Sequence, residues 1–386
     1  MKNLLLIIAL FGLPMAAQNI AHRLDSIIAA DPLTKTAQVG VMVWNLSADS
    51  ALYAYQHRQL MRPASTMKVL TAVAALDILG ADYRLSTSLY YKGTVEQRTL
   101  HGDLYIVGGM DPLFDTDDLD AFVTSVQRLG IDTLRGRIIA DLTVKDTLRY
   151  GSGWCWDDDN YDLTPLRMGR RLDVAPLMAA ALKRAGVVQS DVATTGRGRL
   201  PANATFIGAR THTIDQVLHE MLKESNNLFA ESVFYQTAMS TGHRPATADD
   251  ARRHERIVMQ RAGLLPRLYR IADGSGLSLY NYLSAEALTM LLRYAWFDRR
   301  IFDHLFPALP VAGRDGTLSK RFVGTVAENR LCAKTGTLTG IVSLAGYVPA
   351  SKDHDLCFAI IVQGVMSTAE GRRLIDRLTV AICEGE

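Results

Sequence analysis

Strand-like segments lie near both ends of the chain, and this feature most restricts the folds that it can adopt. Near the start, the apolar patterns at 37–46 and 51–56 predict two strands joined by a turn. Near the end, the runs at 342–348 and 355–365 predict two paired strands. A helical pattern precedes the first pair and another follows the second. We therefore expect one domain whose sheet is drawn from both ends of the chain.

The middle of the chain has a different pattern, which predicts an inserted domain. Alternating segments such as LSTSLYYKG and RTLHGDLYIVGG are separated by turn signals such as GGMDP, and helical patterns lie among them. We therefore expect an α/β (α+β) fold. In it, residues 18–84 and 206–386 form the terminal domain, and residues 85–205 form an inserted α+β domain.

The N-terminal segment MKNLLLIIALFGLPMAAQ combines one lysine, an apolar run and small residues. This is the shape of a secretory signal peptide, so we expect residues 1–17 to direct export to the periplasm, with cleavage near Ala17. The apolar run is short for a transmembrane helix, which leaves at most peripheral membrane contact. The alternative is an uncleaved N-terminal anchor.

The remaining composition excludes several classes of function. The formal net charge is +2 and no basic run is present, so we expect no nucleic-acid partner. The cysteines Cys155, Cys332, Cys357 and Cys383 do not have the spacing of a zinc site or of a C-x-x-C redox motif. We therefore predict no metal site and no cofactor.

The segment RPASTMKVLTAVAALDILG contains Ser65 followed, three positions later, by Lys68. Its apolar pattern predicts a helix that ends at Gly80. In the ordinary interpretation, the serine begins this helix and the lysine is a solvated charge. Residues three apart on a helix, however, lie on one face and can interact. A lysine that has lost its proton there can activate the serine as a nucleophile.

Two further short motifs favour the reactive interpretation. An S-x-N lies at 225–227, at a break between two helical patterns, and a K-T-G lies at 334–336 on a predicted strand. Each alone has an ordinary explanation, since Ser and Asn are common helix caps. The order S-x-x-K, S-x-N, K-T-G along one chain is far more specific, and it is typical of serine β-lactamases and penicillin-binding proteins.

The residue types of these motifs fit an acyl transfer with Ser65 as the nucleophile. We predict that Lys68 is the base, because burial and Lys334 as a second cation lower its pKa. Ser225 is predicted to relay a proton towards the leaving nitrogen. Asn227 is predicted to hold a substrate amide.

The K-T-G strand is predicted to bind the substrate. Lys334, with the hydroxyls of Thr335 and Thr337, is expected to bind a substrate carboxylate. The backbone N–H groups of Ser65 and Thr337 are expected to form an oxyanion hole. Gly336 is expected to let the substrate backbone approach the strand closely.

The chain resembles the D-alanyl-D-alanine carboxypeptidase/endopeptidase family, the class C type of low-molecular-mass penicillin-binding protein. Besides the three motifs, the segments GDLYIVGGMDPLF, GWCWDDDNYDLTP, SNNLFAES, DGSGLS and LPVAGRDGTL are similar to family segments and occur in the family's order. The resemblance covers nearly the whole mature chain and implies a penicillin-recognising DD-peptidase/β-lactamase-like domain with an insertion between the first two motifs. The chain departs from the family in a shorter insertion, and in Leu279, where the family often has arginine.

The resemblance implies a periplasmic serine DD-peptidase that needs no cofactor. It would acylate Ser65 with peptidoglycan peptide stems ending in D-Ala-D-Ala, and β-lactams would inhibit it. One alternative is a serine β-lactamase, which the large insertion disfavours because those enzymes are compact. Another is a non-catalytic penicillin-recognising scaffold, which the complete set of motifs disfavours.

The resemblance also suggests a reader of the peptide stem in the acidic turn WCWDDDNY. By comparison with related enzymes, Asp158 is the expected partner for the free amine of a diaminopimelate stem, through a charge-assisted hydrogen bond. The alternative is a solvated turn whose aspartates act only as caps.

Overall fold

The computed structural model describes residues 15–155, 158, 162–189, 194–350 and 354–385. Most of the predicted signal peptide, residues 1–14, therefore lies outside the described residues. No helix in these ranges is both long and apolar enough to cross a membrane.

The helices of the described residues, in chain order, are α1 (Met15–Ala30), α2 (Met67–Leu79), α3 (Thr116–Arg128), α4 (Val174–Arg184), α5 (Ile214–Lys223), α6 (Asn227–Met239), α7 (Ala248–Arg261), α8 (Ala285–Phe297), α9 (Arg299–Ala308) and α10 (Thr368–Glu384). The strands are β1 (Gln38–Asn45), β2 (Ser50–Tyr55), β3 (Arg84–Glu96), β4 (Thr99–Val107), β5 (Thr133–Arg135), β6 (Ile138–Asp141), β7 (Val188–Gln189), β8 (Thr195–Arg197), β9 (Thr205–Thr213), β10 (Cys332–Leu338), β11 (Ile341–Val348) and β12 (Leu356–Gln363).

One sheet joins the two ends of the chain. Its strand order is β10-β11-β12-β1-β2, and neighbouring strands are antiparallel. Strand β1 pairs with β12, so that Val41 lies opposite Ile360. The prediction of a sheet drawn from both chain ends is therefore confirmed. The topology also places β10, which carries the K-T-G motif, at an edge of the sheet.

Helices cover both faces of this sheet, because its inner strands are apolar on both sides. On one face, α1 and α10 pack against side chains that include Val41 and Phe358. On the other face, α8 packs against β1 and β12, and α2 and α6 form the next part of the same core. Each large apolar side chain buried in this way stabilises the fold by about 1.5–3 kcal/mol. The result is a rigid support for the motifs carried by α2, α6 and β10.

A second sheet is formed by the strands between β2 and α5. Strand β3 pairs antiparallel with β4 and β9, and β4 also pairs in parallel with β5 and then with β6. Helices α3 and α4 pack on it around a separate core that includes Phe114, Phe122 and Met178. Its last strand begins at Thr205, beside the predicted boundary at 205/206. The division into domains stays a prediction.

The start of α10 differs from the sequence pattern there. The sequence STAE predicts a capping box between Ser367 and Glu370. In the structure Ser367 is the N-cap residue, but its side chain makes no capping hydrogen bond. The backbone closes this turn instead, because the Glu370 amide donates to the Ser367 carbonyl oxygen at 3.1 Å. The capping-box prediction is therefore wrong.

Candidate active site

Ser65 is presented by a short 3-10 turn, Ala64–Thr66, and α2 begins only at Met67. Ala64 has a φ of +50°, in the left-handed region that is unfavourable for residues other than glycine. Such backbone strain persists only where the surrounding structure imposes it, and it is common at functional sites. The predicted end of the helix at Gly80 is confirmed, since Gly80 is the C-cap residue with a φ of +84°.

Two hydroxyl groups hold the strained turn in place. Thr66 Oγ1 donates to the Pro63 carbonyl oxygen at 2.6 Å, and Ser343 Oγ donates to the same oxygen at 2.7 Å. Ser343 belongs to β11, so the turn is attached to the sheet as well as to α2. The position of Ser65 is thus fixed from two sides.

Lys68 lies beneath Ser65 and is fully buried. Its Nζ atom is 3.0 Å from Ser65 Oγ, 2.8 Å from Asn227 Oδ1 and 2.7 Å from the Ser275 carbonyl oxygen. The structure therefore brings together the predicted nucleophile, the predicted base and one predicted amide-binding residue. The carbonyl group of Ser275 is a fourth member of this cluster that the sequence analysis missed.

Burial is the largest influence on the charge of Lys68, and it lowers the pKa of this lysine to about 7. The negative charges of Asp273 and Glu231 act in the opposite direction. A lysine in this state is neutral in a large fraction of molecules near pH 7, while its nitrogen stays within hydrogen-bonding distance of Ser65 Oγ. This combination is what a general base needs.

The S-x-N motif lies where α5 ends and α6 begins, as the sequence predicts. Ser225 has a φ of +61°, again in the left-handed region. Its Oγ atom accepts a hydrogen bond from Lys334 Nζ at 2.8 Å. Asn226 caps α6, because its side chain accepts from the Leu228 amide. This cap leaves Asn227, the first residue of the helix, free to face Lys68.

Strand β10 carries the buried side chain of Lys334 and passes beside the Ser65 turn. Gly336 on this strand packs closely against the same turn. A Cβ atom at position 336 would lie 2.2 Å from Ser343 Oγ, 2.8 Å from the Pro63 carbonyl oxygen and 3.0 Å from the Ser65 amide nitrogen. The glycine is therefore required by the chain's own packing around Ser65, and its expected role in substrate approach stays a prediction.

Lys334 is also fully buried, and its ammonium group has fewer partners than that of Lys68. Besides Ser225 Oγ, it donates to the Thr335 carbonyl oxygen at 2.8 Å. Burial lowers the pKa of Lys334 well below its usual value, and repulsion from Lys68 lowers it further. Repulsion between two ammonium groups is mutual, so the predicted influence of Lys334 on Lys68 stays a prediction. Burial is the largest cause of the lowered pKa of each lysine.

The two threonines of β10 are placed differently. Thr337 is exposed. Thr335 is half-buried, and its hydroxyl group donates to Thr317 Oγ1 at 2.8 Å. Thr317 lies in the GRDGTL segment, which the sequence analysis noted only as a family-like stretch. This hydrogen bond uses the only proton of the Thr335 hydroxyl, so Thr335 can donate to a carboxylate only when Thr317 donates in its place.

Three buried acidic residues, Glu231, Glu255 and Asp273, lie behind Lys68. Burial raises the pKa of Glu231 to about 8, and the charge of Asp273 adds to this. Burial also raises the pKa of Glu255 well above its usual value. The sequence analysis missed all three as site residues. The available signal was a glutamate, Glu231, within the otherwise apolar start of α6.

The structure does not join Asp158 to the clusters around Ser65 and Lys334. Its Oδ2 atom accepts from the Cys155 amide at 2.7 Å, so the side chain caps its own turn. No hydrogen bond links it to a residue of the three motifs among the residues that the structure describes. Asp157 and Asp159, its neighbours in the acidic turn, lie outside the described residues.

Comparison with known families and proteins agrees with the geometry. The model of the D-Ala-D-Ala carboxypeptidase 3 (S13) family matches residues 20–169 and 167–383. The D-alanyl-D-alanine carboxypeptidase of Actinomadura sp. is 28% identical over an alignment that covers 87% of this chain and 80% of that protein. The carboxypeptidase DacB of Mycolicibacterium smegmatis is 30% identical, with 90% of this chain and 78% of that protein covered.

Solved structures share the fold. Penicillin-binding protein 4 of Haemophilus influenzae superposes with a TM-score of 0.82 at 20% identity, covering 95% of this chain and 98% of that chain. A predatory peptidoglycan endopeptidase of Bdellovibrio bacteriovorus has a TM-score of 0.61 at 16% identity, covering 90% and 93%. An extended-spectrum β-lactamase reaches 0.50 at 11% identity, covering 96% and 97%. The expected fold class, a DD-peptidase and β-lactamase-like domain with an extra domain, is thereby confirmed.

Proposed function

The chain belongs to the S13 family of D-Ala-D-Ala carboxypeptidases, and we propose that Ser65 is its nucleophile. It is a serine-type D-Ala-D-Ala carboxypeptidase/endopeptidase that acts on peptidoglycan. In the proposed reaction, Ser65 Oγ attacks the carbonyl carbon of the penultimate D-alanine. The peptide C–N bond breaks, the terminal D-alanine leaves, and an ester remains on Ser65. Water then hydrolyses this ester and restores the serine.

The protons of this reaction pass through the two lysine clusters. Neutral Lys68 accepts the proton of Ser65 across the 3.0 Å contact. The leaving nitrogen needs a proton, which Ser225 Oγ gives and then recovers from Lys334 Nζ, 2.8 Å away. Before hydrolysis, Lys68 releases the proton of Ser65 to solvent and Lys334 takes one up, so that Lys68 is neutral again. Lys68 then accepts a proton from the attacking water and gives it to Ser65 Oγ as the ester C–O bond breaks. Over the complete cycle every protein group returns to its starting state.

The remaining predicted residues bind the substrate. The backbone N–H groups of Ser65 and Thr337 stabilise the oxyanion. Lys334, Thr335 and Thr337 bind the C-terminal carboxylate, and Asn227 holds a peptide amide. The close packing of Gly336 against Ser65 supports this arrangement, because it keeps β10 and the serine in a fixed relation.

A single observation carries the proposal most directly. Lys68 is fully buried, its pKa is lowered to about 7, and its Nζ atom lies 3.0 Å from Ser65 Oγ. Ser65 itself is held on a strained turn. A solvated helix start would have neither the burial nor the strain.

The place of action and the ligands are further parts of the proposal. The N-terminal signal pattern supports export, cleavage near Ala17 and a periplasmic enzyme whose substrates are peptidoglycan peptide stems. β-Lactams are the proposed inhibitors. In support, the Haemophilus influenzae relative has been solved with a β-lactam, and a Bdellovibrio bacteriovorus endopeptidase has been solved acylated by penicillin G.

Labelling with a fluorescent penicillin tests the nucleophile. The wild type should take the label covalently, and Ser65→Ala should take none. Ser125→Ala, on the distant helix α3, is the matched control and should label normally. Label that persists on Ser65→Ala would show that another serine reacts. A label that is lost within seconds from the wild type would favour the β-lactamase alternative, and no label at all would favour the scaffold.

We keep Asp158 as the proposed reader of a diaminopimelate stem, because its turn carries further acidic residues. Asp158→Asn is a precise test, since asparagine retains the oxygen that caps the Cys155 amide and loses only the charge. It should raise KM severalfold for a stem with a free side-chain amine and leave a simple D-Ala-D-Ala peptide unaffected. Equal KM values for both enzymes on the amine-bearing stem would remove Asp158 from the site.

A further inference from the structure

Trp154, within the segment predicted to form the inserted domain (residues 85–205), contacts a residue that supports the catalytic centre. Trp154 lies in the GWCWDDDNYDLTP segment, and its ring packs against the core around α2 and α6. Its Nε1 atom donates to Asp273 Oδ2 at 2.8 Å. The two residues are 119 positions apart in the sequence, so this contact exists only in the folded chain.

Asp273 organises the segment 273–278, which has the sequence DGSGLS. One carboxylate oxygen accepts from the Gly276 amide at 2.9 Å and from Asn281 Nδ2 at 2.6 Å. The other accepts from the Ser278 amide at 2.7 Å, in addition to Trp154. A carboxylate that is only 1% exposed depends on such donors to remain buried.

The same segment supplies an acceptor to the base. The Ser275 carbonyl oxygen accepts from Lys68 Nζ at 2.7 Å. The Ser275 and Gly274 amides are held from the other side by Glu231 Oε1, at 2.8 and 3.1 Å. Gly276 fits tightly as well, since a Cβ atom there would lie 1.9 Å from the Ala64 carbonyl oxygen. A small displacement of this segment therefore moves both the acceptor of Lys68 and the turn of Ser65.

We propose that Trp154 is a positioning residue for the base: its N–H group fixes Asp273, and Asp273 fixes the Ser275 carbonyl group that orients Lys68. The proposal rests on the proposed role of Lys68 as the base. It gives the predicted inserted domain, residues 85–205, a part in the chemical step that is separate from the binding of the peptide stem.

Two other roles for Trp154 give different experimental results. If the ring only contacts the peptide stem, its loss raises KM for long stems and spares small β-lactams. If the ring only packs, a large apolar replacement is tolerated better than a smaller polar one. A positioning hydrogen bond predicts the opposite order, because the N–H group is what matters.

The test compares Trp154→Phe, which has no N–H group, with Trp154→His, which keeps a ring N–H donor. The acylation rate constant is measured with a fluorescent penicillin and with a short D-Ala-D-Ala peptide. Trp154→Phe should acylate about 10- to 100-fold more slowly with both substrates, since a misplacement of the base is felt by each. Trp154→His should recover part of this loss. The rate constant reports only on folded molecules, so partial unfolding does not obscure the comparison.

Trp44→Phe is the matched control, because Trp44 Nε1 also donates to an aspartate, Asp49, at 3.0 Å but lies on β1. It should acylate at the normal rate. Combining Trp154→Phe with Asp273→Asn should cost less than the product of the two single losses, because the residues act in sequence.

Three results would each overturn the proposal. The first is normal acylation by Trp154→Phe, and the second is faster acylation by Trp154→Phe than by Trp154→His. The third is a loss in the double variant equal to the product of the two single losses. Failure of the proposed role of Lys68 is recognised separately, since Lys68→Arg would then acylate at a near-normal rate.

Discussion

The two buried lysines of the site differ in what surrounds them. Lys68, on α2, has three hydrogen-bond acceptors, and the carboxyl groups of Asp273 and Glu231 act on its charge. Lys334, on β10, has two acceptors, and within the described residues no acidic group contributes to its pKa. Both are fully buried, so the difference comes from their neighbours and not from their exposure.

The difference teaches how one residue type can serve two purposes. The carboxyl groups behind Lys68 offset part of the cost of burial and keep its pKa at about 7, close to the working range of a base. Lys334 has no such compensation from the carboxyl groups that the structure describes, so its positive charge is poorly supported. We infer that the carboxylate of the substrate supplies the missing partner and restores the charge of Lys334 when it binds.

The largest effect is expected for Lys68→Arg. Arginine keeps the positive charge but does not lose its proton in proteins, so it cannot accept the proton of Ser65. Acylation should slow by roughly 10²- to 10⁴-fold, the usual contribution of a general base. The matched variant Lys334→Arg keeps a cation for the carboxylate, so it should keep the preference for a free carboxylate, but it cannot return a proton to Ser225. Acylation near the normal rate in Lys68→Arg would contradict the division of roles between the two lysines.

A smaller effect is expected for Lys334→Ala. Loss of a charge-assisted hydrogen bond to the substrate carboxylate should lower kcat/KM by about 10- to 100-fold. The decisive measurement compares each substrate with its methyl ester. The wild type should prefer the free carboxylate strongly, and Lys334→Ala should prefer it little. An unchanged preference would mean that another group binds the carboxylate.

The next effect in size is expected in the pH dependence of acylation by the wild type. Because Lys68 acts in its neutral form, activity should be retained above pH 7 and should fall as the pH drops through the pKa of about 7. Well below that value the acylation rate should fall about tenfold per pH unit. Stopped-flow acylation with a β-lactam between pH 5 and 9 measures this fall in rate, which is the acid limb of the pH profile. A rate that is flat down to pH 5 would show that no group of this pKa must lose its proton.

The smallest effect is expected for Glu231→Gln. Glutamine keeps an oxygen that can accept from the Gly274 and Ser275 amides, but it cannot ionise. Lys68 then has one acidic neighbour fewer, which makes its surroundings more like those of Lys334. The acid limb should move to lower pH, because a negative charge that raises the pKa of Lys68 is gone. The shift should be no more than about half a pH unit, since burial keeps Glu231 largely protonated near pH 7. A shift of the acid limb to higher pH would contradict the expected lowering of the Lys68 pKa.

The sequence predicted the local parts of the site well. The spacing of Ser65 and Lys68 on one helix, and the S-x-N at a helix break, depend on nearby residues and on regular helix geometry. The position of Lys334 on a strand follows from a local apolar pattern in the same way. The prediction that the sheet is drawn from both ends also followed from patterns in single segments, since each predicted strand needed a partner.

Other parts of the site could not be predicted from those patterns. No sequence pattern indicated that Gly336 is needed for packing against Ser343 and the Ser65 turn. From the sequence, Asp273 and Trp154 belong only to two separate family-like segments. Their contact joins residues far apart in the chain, and no local periodicity encodes such a pairing.

The sequence by itself determined which reactive groups this protein has, their order along the chain and the elements that carry them. Only the tertiary structure decided which lysine carries compensating carboxyl groups, why position 336 is glycine and how the segment 273–278 supports Lys68. The physical reason is that pKa values and orientations depend on burial and on hydrogen-bond partners, which come from the packing of distant segments. A motif places a lysine on a helix, but the carboxyl groups behind it set how readily that lysine gives up its proton.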